Sequence, residues 1–442
     1  YRVPFELNEA VAVGKRVVVQ FGKHKIYTAL VKSIGKNPPE HYQAKYIIDV
    51  VDQHPVVTEK QFEFWNWMTS YYLCNEGDVM AAALPTGLKL ASETVLLLKD
   101  ELPEELNLSD KEQIIFEVLH KQHRISIDEV AGLLGQKTVY PIVNALIAKE
   151  IIVAAEEVVD KYKPLLKSFV KLNDFYHEEA NLRKLFEQLE KAPKQLDALL
   201  AYLKLSKDKG FVPKNQLIEE SGSGQAALKA LTDKEIFNIE KRPVSRLSSD
   251  GEQFDINFEL SEHQKVALVK VKQQFETKDV VLLHGVTAAG KTQLYIKLIE
   301  EAIIAGGGQV LFLLPEIALT TQIVARLKKI FGEQVGIYHS KFSDNERVEV
   351  WKSIVEGKYP FVVGVRSSVF LPFSRLGLII VDEEHESSFK QVDPAPRYHA
   401  RDVAMVLAGQ QKAKVLLGSA TPSIESYYQA KQGKYGLVTL ME

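Results

Sequence analysis

The sequence predicts a multidomain protein: a β-rich front domain, one or two winged-helix units, and an α/β lobe whose parallel sheet carries a phosphate loop. Three observations carry this. The chain has 442 residues, too many for one core, and one domain per roughly 150 residues gives about three. Its texture changes twice. Glycine-punctuated β-rich runs give way to helix clusters near Ser109, and strands alternate with helices from about Phe254. Finally, GVTAAGKT, Gly285 to Thr292, matches the G-x-x-x-x-G-K-[ST] loop between a buried strand and a helix.

Composition narrows the function classes. Hydrophobic residues make up 46% and charged residues 26%, as in an ordinary globular protein. A net charge of −3 gives no global nucleic-acid signal, so any DNA-binding surface must be a local patch. Cys74 is the single cysteine, which excludes a disulfide framework and a cysteine-based zinc site within these residues. No apolar run approaches the roughly 18 residues needed to span a membrane. The first residue is Tyr1 and no signal-peptide pattern is present. A soluble cytoplasmic protein is expected, presented as a piece of a longer one.

Residues 1–104 are expected to form the β-rich domain. GKRVVVQFG, YTALVKSIG and KYIIDVVD are strand-like runs punctuated by Gly14, Gly22 and Gly35, and they fit a small barrel. VTEKQFEFWNWMTSYYLC then turns helical. Its aromatics, Phe62, Trp65 and Tyr72 among them, fit core packing better than a base-stacking platform, because such rings bury large areas. PTGLKL reads as a turn and linker.

A winged helix is expected over 108–166. Ser109 or Asp110 caps a helix with Ile114, Ile115, Val118 and Leu119 on one face. SIDEVAGLLG is a second helix stopped by Gly135. KTVYPIVNALIAKEIIVAAEEV is a third helix that runs into a strand pair. Gln136 to Tyr140 would be its recognition end; with Lys137 as the one lysine there, strong sequence readout is not expected, and a protein-interaction role stays open. Over 167–250 a charged helical connector leads to about Lys191. APKQLDALLAYLKL, PKNQLIEES and SGQAALKALTDKEIFNIEKRPVSR then repeat the pattern as a second winged-helix-like unit.

The α/β lobe is expected over 251–442. VVLLHG, QVLFLLP, VGIYHS, FVVGV, LGLIIVDE and KVLLGSAT are continuous apolar runs, as in a parallel sheet covered on both faces. Ligands gather at the carboxyl ends of such strands. In the phosphate loop, Gly285, Val286, Thr287, Ala288, Ala289 and Gly290 would turn backbone N–H groups toward ATP, with a helix N-terminus behind them. Lys291 would meet the β/γ-phosphates and Thr292 would ligate Mg²⁺. At another strand end Asp382 would hold Mg²⁺, and Glu383 would orient and deprotonate the attacking water. His385 would either couple the site to motion or be a plain surface histidine. Ser419 and Thr421, in GSAT, stand where a γ-phosphate can be sensed. Gln264, in LSEHQKVAL, is either an adenine reader or an exposed helix glutamine.

Longer runs carry a resemblance. LFLLPEIALTTQ, YHSKFSDNERVEVW, VGVRSSVFLPFSRLGLIIVDEEHESSFKQ, PRYHARDVAMV and LLGSATPSIES, in order over most of 254–428, resemble the primosomal protein N′ family of superfamily 2 helicases. The resemblance implies that 251–442 is a RecA-like first helicase lobe. The implied activity is a DNA-dependent ATPase and 3′-to-5′ helicase that recognises stalled forks for replication restart. It also implies DNA-contacting residues. Glu316, Thr320 and Gln322 lie in one segment that meets the single strand, and Arg366 and Ser367 in another. Ser387 to Arg401 is an aromatic-rich loop that reports bound DNA to the ATP site, where Phe389, Lys390, Arg397, Tyr398 and His399 suit base stacking and phosphate contact. The front domain would bind the 3′ end of a nascent strand.

The chain departs from the family pattern in three places. Ala288-Ala289 stand for Gly-Ser, Gln293 for Glu, and Val365 for Thr, which weakens the role given to Arg366. Implied partners are forked and single-stranded DNA, other primosome proteins and single-stranded DNA-binding protein, with no membrane, in a bacterial cytoplasm. A second motor lobe with an arginine finger, two zinc ions on cysteines and a C-terminal domain are expected beyond Glu442, and the 3′-end pocket is expected to be incomplete at Tyr1. Such a fragment would hydrolyse ATP poorly, since a finger is worth roughly 10³ to 10⁵ in rate. Two rivals stand beside this: a non-catalytic, nucleotide-switched fork-binding module, and another superfamily 2 DNA translocase.

Overall fold

The computed structural model describes residues 1–441 apart from 23–24, 38, 90, 100–101, 104–105, 107, 137, 160–163, 207–209, 245, 247–258, 287–288, 307 and 320. Lys137, Thr287, Ala288 and Thr320 therefore lie outside the described residues. The chain forms two units, 1–162 with 249–442, and 163–248.

The front of the first unit holds β1 (Arg16–Phe21), β2 (Lys25–Leu30) and β3 (Ile47–Val50). They pair antiparallel in the order β2-β1-β3. This corrects the expected barrel: among the described residues the front strands form an open three-stranded sheet. Period-two alternation buries Val17 and Val19 against Ile47. Gly14 has φ +84°, and a Cβ there would lie 1.8 Å from the Val57 carbonyl oxygen, so only glycine fits.

Helices α1 (Glu59–Tyr72) and α2 (Glu76–Ala83) follow, the first started by a reciprocal Thr58–Gln61 capping box. Their apolar faces pack on the α/β lobe. The Gln61 amide donates to the Phe370 carbonyl at 2.7 Å, and the Trp351 indole N–H donates to the Val56 carbonyl at 2.7 Å. Phe64 lies against Phe370 with ring centres 6.4 Å apart. Gly87 presses on Val348, where a Cβ would come within 2.8 Å of its methyl. The turn after α2 is therefore part of a domain seam rather than a free linker.

Next come β4 (Ala91–Leu98), α3 (Asp110–Gln122), β5 (Arg124–Ser126), α4 (Ile127–Leu134), α5 (Tyr140–Ala148) and β6 (Ile152–Val159). The three expected helices are present. β4, expected in the front domain, pairs with both β5 and β6. The core is Leu96, Ile115, Leu119, Val143 and Leu146.

The second unit comprises β7 (Leu165–Leu172), α6 (Glu179–Leu189), α7 (Pro193–Leu205), β8 (Val212–Pro213), α8 (Lys214–Ser221), α9 (Gly224–Asp233) and β9 (Phe237–Val244). Its sheet order is β8-β7-β9. Two expectations are corrected. Among the described residues β6 pairs with β4, which precedes the three helices, so the expected strand pair does not simply follow the third helix. Nor is 167–191 a connector: β7 pairs with β9 from Leu165 to Leu172, and Leu185 and Leu189 of α6 enter the core. Val170 and Leu172 of β7 enter the core and the adjacent Phe169 is buried as well, so this end of the strand shows no period-two alternation to read from sequence.

The rest of the first unit is α10 (Glu262–Thr277), β10 (Val280–Gly285), α11 (Lys291–Ile304), β11 (Gln309–Leu313), α12 (Thr321–Phe331), β12 (Val335–Tyr338), α13 (Asp344–Val355), β13 (Phe361–Gly364), β14 (Leu376–Asp382), α14 (Ala400–Gln411), β15 (Lys414–Ser419), α15 (Ile424–Lys431) and β16 (Gly436–Leu440). Seven strands form one sheet, β12-β13-β11-β14-β15-β10-β16, and every pairing is parallel. β16 is a seventh strand beyond the six apolar runs of the sequence. The order sets β14, β15 and β10 side by side, with Asp382 opposite Gly418 and His284 opposite Ser419. Three separate motifs thus end at neighbouring strand tips.

Candidate nucleotide and DNA site

The phosphate loop is built from the tip of β10. Gly290, at φ +80°, caps α11, and a Cβ there would lie 2.1 Å from the Gln264 amide nitrogen. Gln264 is nearly buried. Its amide donates to the Ala289 carbonyl at 3.1 Å and to Gln293 Oε1 at 2.8 Å, while its oxygen accepts from the Ser261 N–H at 3.0 Å. It is therefore not an exposed helix glutamine; it braces the loop from behind. The Val286 N–H donates to the Leu440 carbonyl at 3.1 Å, so β16 braces the loop's other end. The Lys291 ammonium donates to the Gly285 carbonyl at 3.0 Å and stands 3.8 Å from Glu383.

Thr292 opens α11, and one turn later Tyr295 crosses to β14. Its hydroxyl donates to Asp382 Oδ1 at 2.9 Å. Tyr295 is fully buried, and its phenol is pushed well above its ordinary value, first by burial and then by the Asp382 charge. Burial also pushes the Asp382 carboxyl up to about 6, against the Tyr295 hydroxyl and the more distant Lys291, which oppose the rise. A carboxylate so short of positive charge, with a threonine hydroxyl at the head of α11, suits Mg²⁺, a hard cation that takes few protein oxygens and completes its shell with phosphate and water. Among the described residues there is no cluster of three or more His, Cys, Asp or Glu that would cage a metal on its own. Glu383 has φ +47°, an uncommon backbone for glutamate that recurs at functional sites.

His385, Ser419 and Thr421 come together. His385 Nδ1 lies 2.8 Å from Ser419 Oγ, and its Nε2 lies 3.3 Å from Thr421 Oγ1. His385 Nδ1 is also 3.7 Å from Glu383. The histidine thus joins the tip of β14 to the tip of β15 and is not a plain surface residue.

Glu384, inside DEEH, is given no role by the motif. Its side chain is fully buried and accepts from Arg401 Nη1 at 2.9 Å, from the Ser423 N–H at 2.7 Å, from Ser423 Oγ at 3.0 Å and from Ser426 Oγ at 2.9 Å. One carboxylate therefore ties the β14 tip to the start of α14 and the start of α15. Arg401, Ser423, Ser426 and Tyr295 are likewise absent from the sequence-based site. The only signal for them was their position inside PRYHARD, TPSIES and the first turns of the phosphate-loop helix.

Of the expected DNA contacts, Glu316, Arg366 and Ser367 line a cavity of about 90 Å³ together with Ser340, Ser388 and Gln391. Ser340 donates to Glu316. Gln322 is exposed on α12, outside that lining. The Arg366 guanidinium donates to the loop carbonyls of Ser388 at 3.2 Å and Lys390 at 2.9 Å. Lys390 and Arg397 are exposed cations, as a phosphate-contacting loop requires. Phe389 and Tyr398 overturn the expectation. Both are core residues, 0% and 1% exposed, and Tyr398 packs edge-on against Phe370 with ring centres 5.0 Å apart. In this arrangement they anchor the loop and offer no face to a base.

Family models cover most of the chain. Residues 1–85 match the 3′ DNA-binding domain of PriA, 93–157 a winged helix domain, 167–244 the winged helix domain of the Bacteroidota PriA helicase, and 261–430 the DEAD/DEAH box helicase. The replication restart protein PriA of Bacillus subtilis is 30% identical over 449 residues, covering 100% of this chain and 53% of the relative. The Haemophilus influenzae protein of the same name is 31% identical, covering 98% and 49%. That of Chlamydia trachomatis is 48% identical over 170 residues, covering 38% and 22%. The chain spans about half the length of the curated relatives that it matches end to end. With a PriA-type 3′ DNA-binding domain, a PriA-type winged helix and this strand-tip site in one chain, the protein belongs to the PriA replication restart family.

Proposed function

We propose that this chain is part of an ATP-driven DNA helicase that moves 3′ to 5′ and recognises stalled replication forks for replication restart in a bacterial cytoplasm. One observation carries the reading. Lys291, Asp382, Glu383 and Ser419 converge at adjacent strand tips, and the same turn is tied through Glu384 to the segment that follows the 387–399 loop. Lys291 and the loop N–H groups hold the ATP phosphates; Thr292 and Asp382 hold Mg²⁺, which supplies charge neutralisation on the transferring phosphoryl. Glu383 takes the proton of the attacking water. His385, bridging Glu383 and Ser419, relays the state of the γ-phosphate. Arg366, Lys390 and Arg397 hold the backbone of a single strand.

The front domain supplies fork recognition. Tyr1, Phe21, Tyr42 and Lys45 are among the residues around a cavity of about 340 Å³ there. Aromatic walls and one ammonium suit the terminal nucleotide of a 3′ end. The protein partners are other primosome proteins and single-stranded DNA-binding protein.

The test is the ATPase rate of the full-length protein on forked, single-stranded and duplex DNA. Forked DNA should stimulate most. Lys291→Ala should lower the stimulated rate by at least two orders of magnitude, the scale of losing one preorganised charge contact, and leave fork binding intact. Normal hydrolysis by Lys291→Ala would show that the site lies elsewhere. A protein that binds forks and nucleotide without turnover would be a switched binding module.

A further inference from the structure

The front domain touches the loop as well as the lobe beneath it. α1 ends at Tyr72, whose hydroxyl oxygen accepts the His399 backbone N–H at 3.3 Å. The Lys390 ammonium stands 6.0 Å from the centre of the same ring. Lys390 and His399 are the two partners of the isolated bridge that closes the loop at its base. One side chain of the front domain therefore meets both legs of the loop. Further along the same helix pair, Gln61 bonds the Phe370 carbonyl, and Ala82 of α2 lines the small cavity with Glu316, Arg366 and Ser388.

The loop's cations are engaged internally in this arrangement. Lys390 donates to the Arg397 carbonyl, Arg397 Nε donates to the Val392 carbonyl at 2.9 Å, and Arg366 holds the carbonyls of Ser388 and Lys390. A phosphate backbone competes for the same three cations. The arrangement seen here and a strand-bound arrangement are therefore alternatives, and a contact made in only one of them biases the balance.

We propose that Tyr72 is a positioning residue that holds the 387–399 loop in its resting arrangement, so that a DNA end held by the front domain is felt at the motor through α1. The proposal rests on the DNA-gated ATPase reading above. Removing one hydrogen bond of ordinary net strength from the resting arrangement shifts the balance toward the released one about fivefold.

The test compares Tyr72→Phe, which keeps the ring and removes the acceptor, with the unsubstituted full-length protein. Amide exchange over 387–401 is measured without DNA, and ATPase rate is measured against oligonucleotide concentration and on forks with a free or blocked 3′ end. The His399 amide should exchange faster, and the half-saturating DNA concentration should fall about fivefold with the DNA-saturated rate unchanged. The preference for a free 3′ end should shrink toward one. Tyr71→Phe, at an exposed neighbouring position, should match the unsubstituted protein. Unchanged His399 exchange together with an unchanged midpoint and end preference overturns the proposal. If DNA fails to stimulate even the unsubstituted protein, the motor reading falls by itself, and the exchange measurement alone decides whether Tyr72 holds the loop.

Discussion

On the nucleotide side of the turn at 382–385, Asp382 is half-buried with a neutral phenol for its side-chain donor, and its carboxyl is pushed up to about 6. On the loop side, Glu384 is more deeply buried, yet it holds four donors, one of them the Arg401 guanidinium. The two carboxylates share a strand tip and differ in what they lack. Asp382 is short of positive charge, which a bound cation would supply. Glu384 is complete and needs nothing from a ligand. A site that must accept a charged substrate keeps one side underbonded and fixes its geometry with the other.

The largest expected effect breaks the completed side. Glu384→Ala leaves Arg401 with Asp402 as its remaining carboxylate, strands the Ser423 and Ser426 donors, and should cost about 3 kcal/mol of stability, read as a lower urea midpoint. Glu383→Gln, one residue away and partly exposed, should leave that midpoint unchanged. An equal loss in both would erase the distinction.

A smaller effect comes from closing the space between the sides. A Cβ on Gly418 would lie 1.8 Å from the Tyr295 hydroxyl, so Gly418→Ala should displace the phenol at about 1–3 kcal/mol in the same assay. The displaced phenol should also lose its bond to Asp382. An unchanged midpoint would mean that Tyr295 does not need the gap.

The smallest effect sharpens the underbonded side. Protonation of Asp382 as pH falls through about 6 removes the charge that would hold Mg²⁺, so DNA-stimulated ATPase should fail on the acid side. Tyr295 opposes the rise of that pKa, so Tyr295→Phe should move the acid limb to higher pH, by about one unit for one hydrogen bond. A limb that moves to lower pH would reverse the assigned sign. The same raised pKa affects stability. Between 3.8 and about 6 the folded protein holds a proton that the unfolded chain has lost, so the stability contribution of Asp382 falls as pH rises through that window.

Much of this was legible in sequence. The phosphate loop, DEEH and GSAT each sit at the end of an apolar run, and a parallel sheet brings such ends together whatever their distance along the chain. What was not legible depends on pairs that no local period reveals. Glu384 meets partners 17, 39 and 42 positions away. Phe389 and Tyr398 look exposed because their loop is polar around them, but a ring in a loop is buried when the loop folds back on a hydrophobic turn, here at Phe370. β4 reads as part of the front domain because its strand lies just past a turn that resembles a linker, and only pairing with β5 and β6 reveals its neighbours.

The strand order also acts as a gauge. β10 and β14 are separated by two strand spacings, about 10 Å, with β15 standing between them. A group anchored at one flank must span that width to act at the other. α11 does so twice, with Lys291 toward Glu383 and Tyr295 toward Asp382, both long side chains from one helix. The intervening strand is bare at Gly418, which opens a window for the second crossing. The width of the site is thus written into sheet geometry, and α11 crosses it to bring both side chains to the far flank.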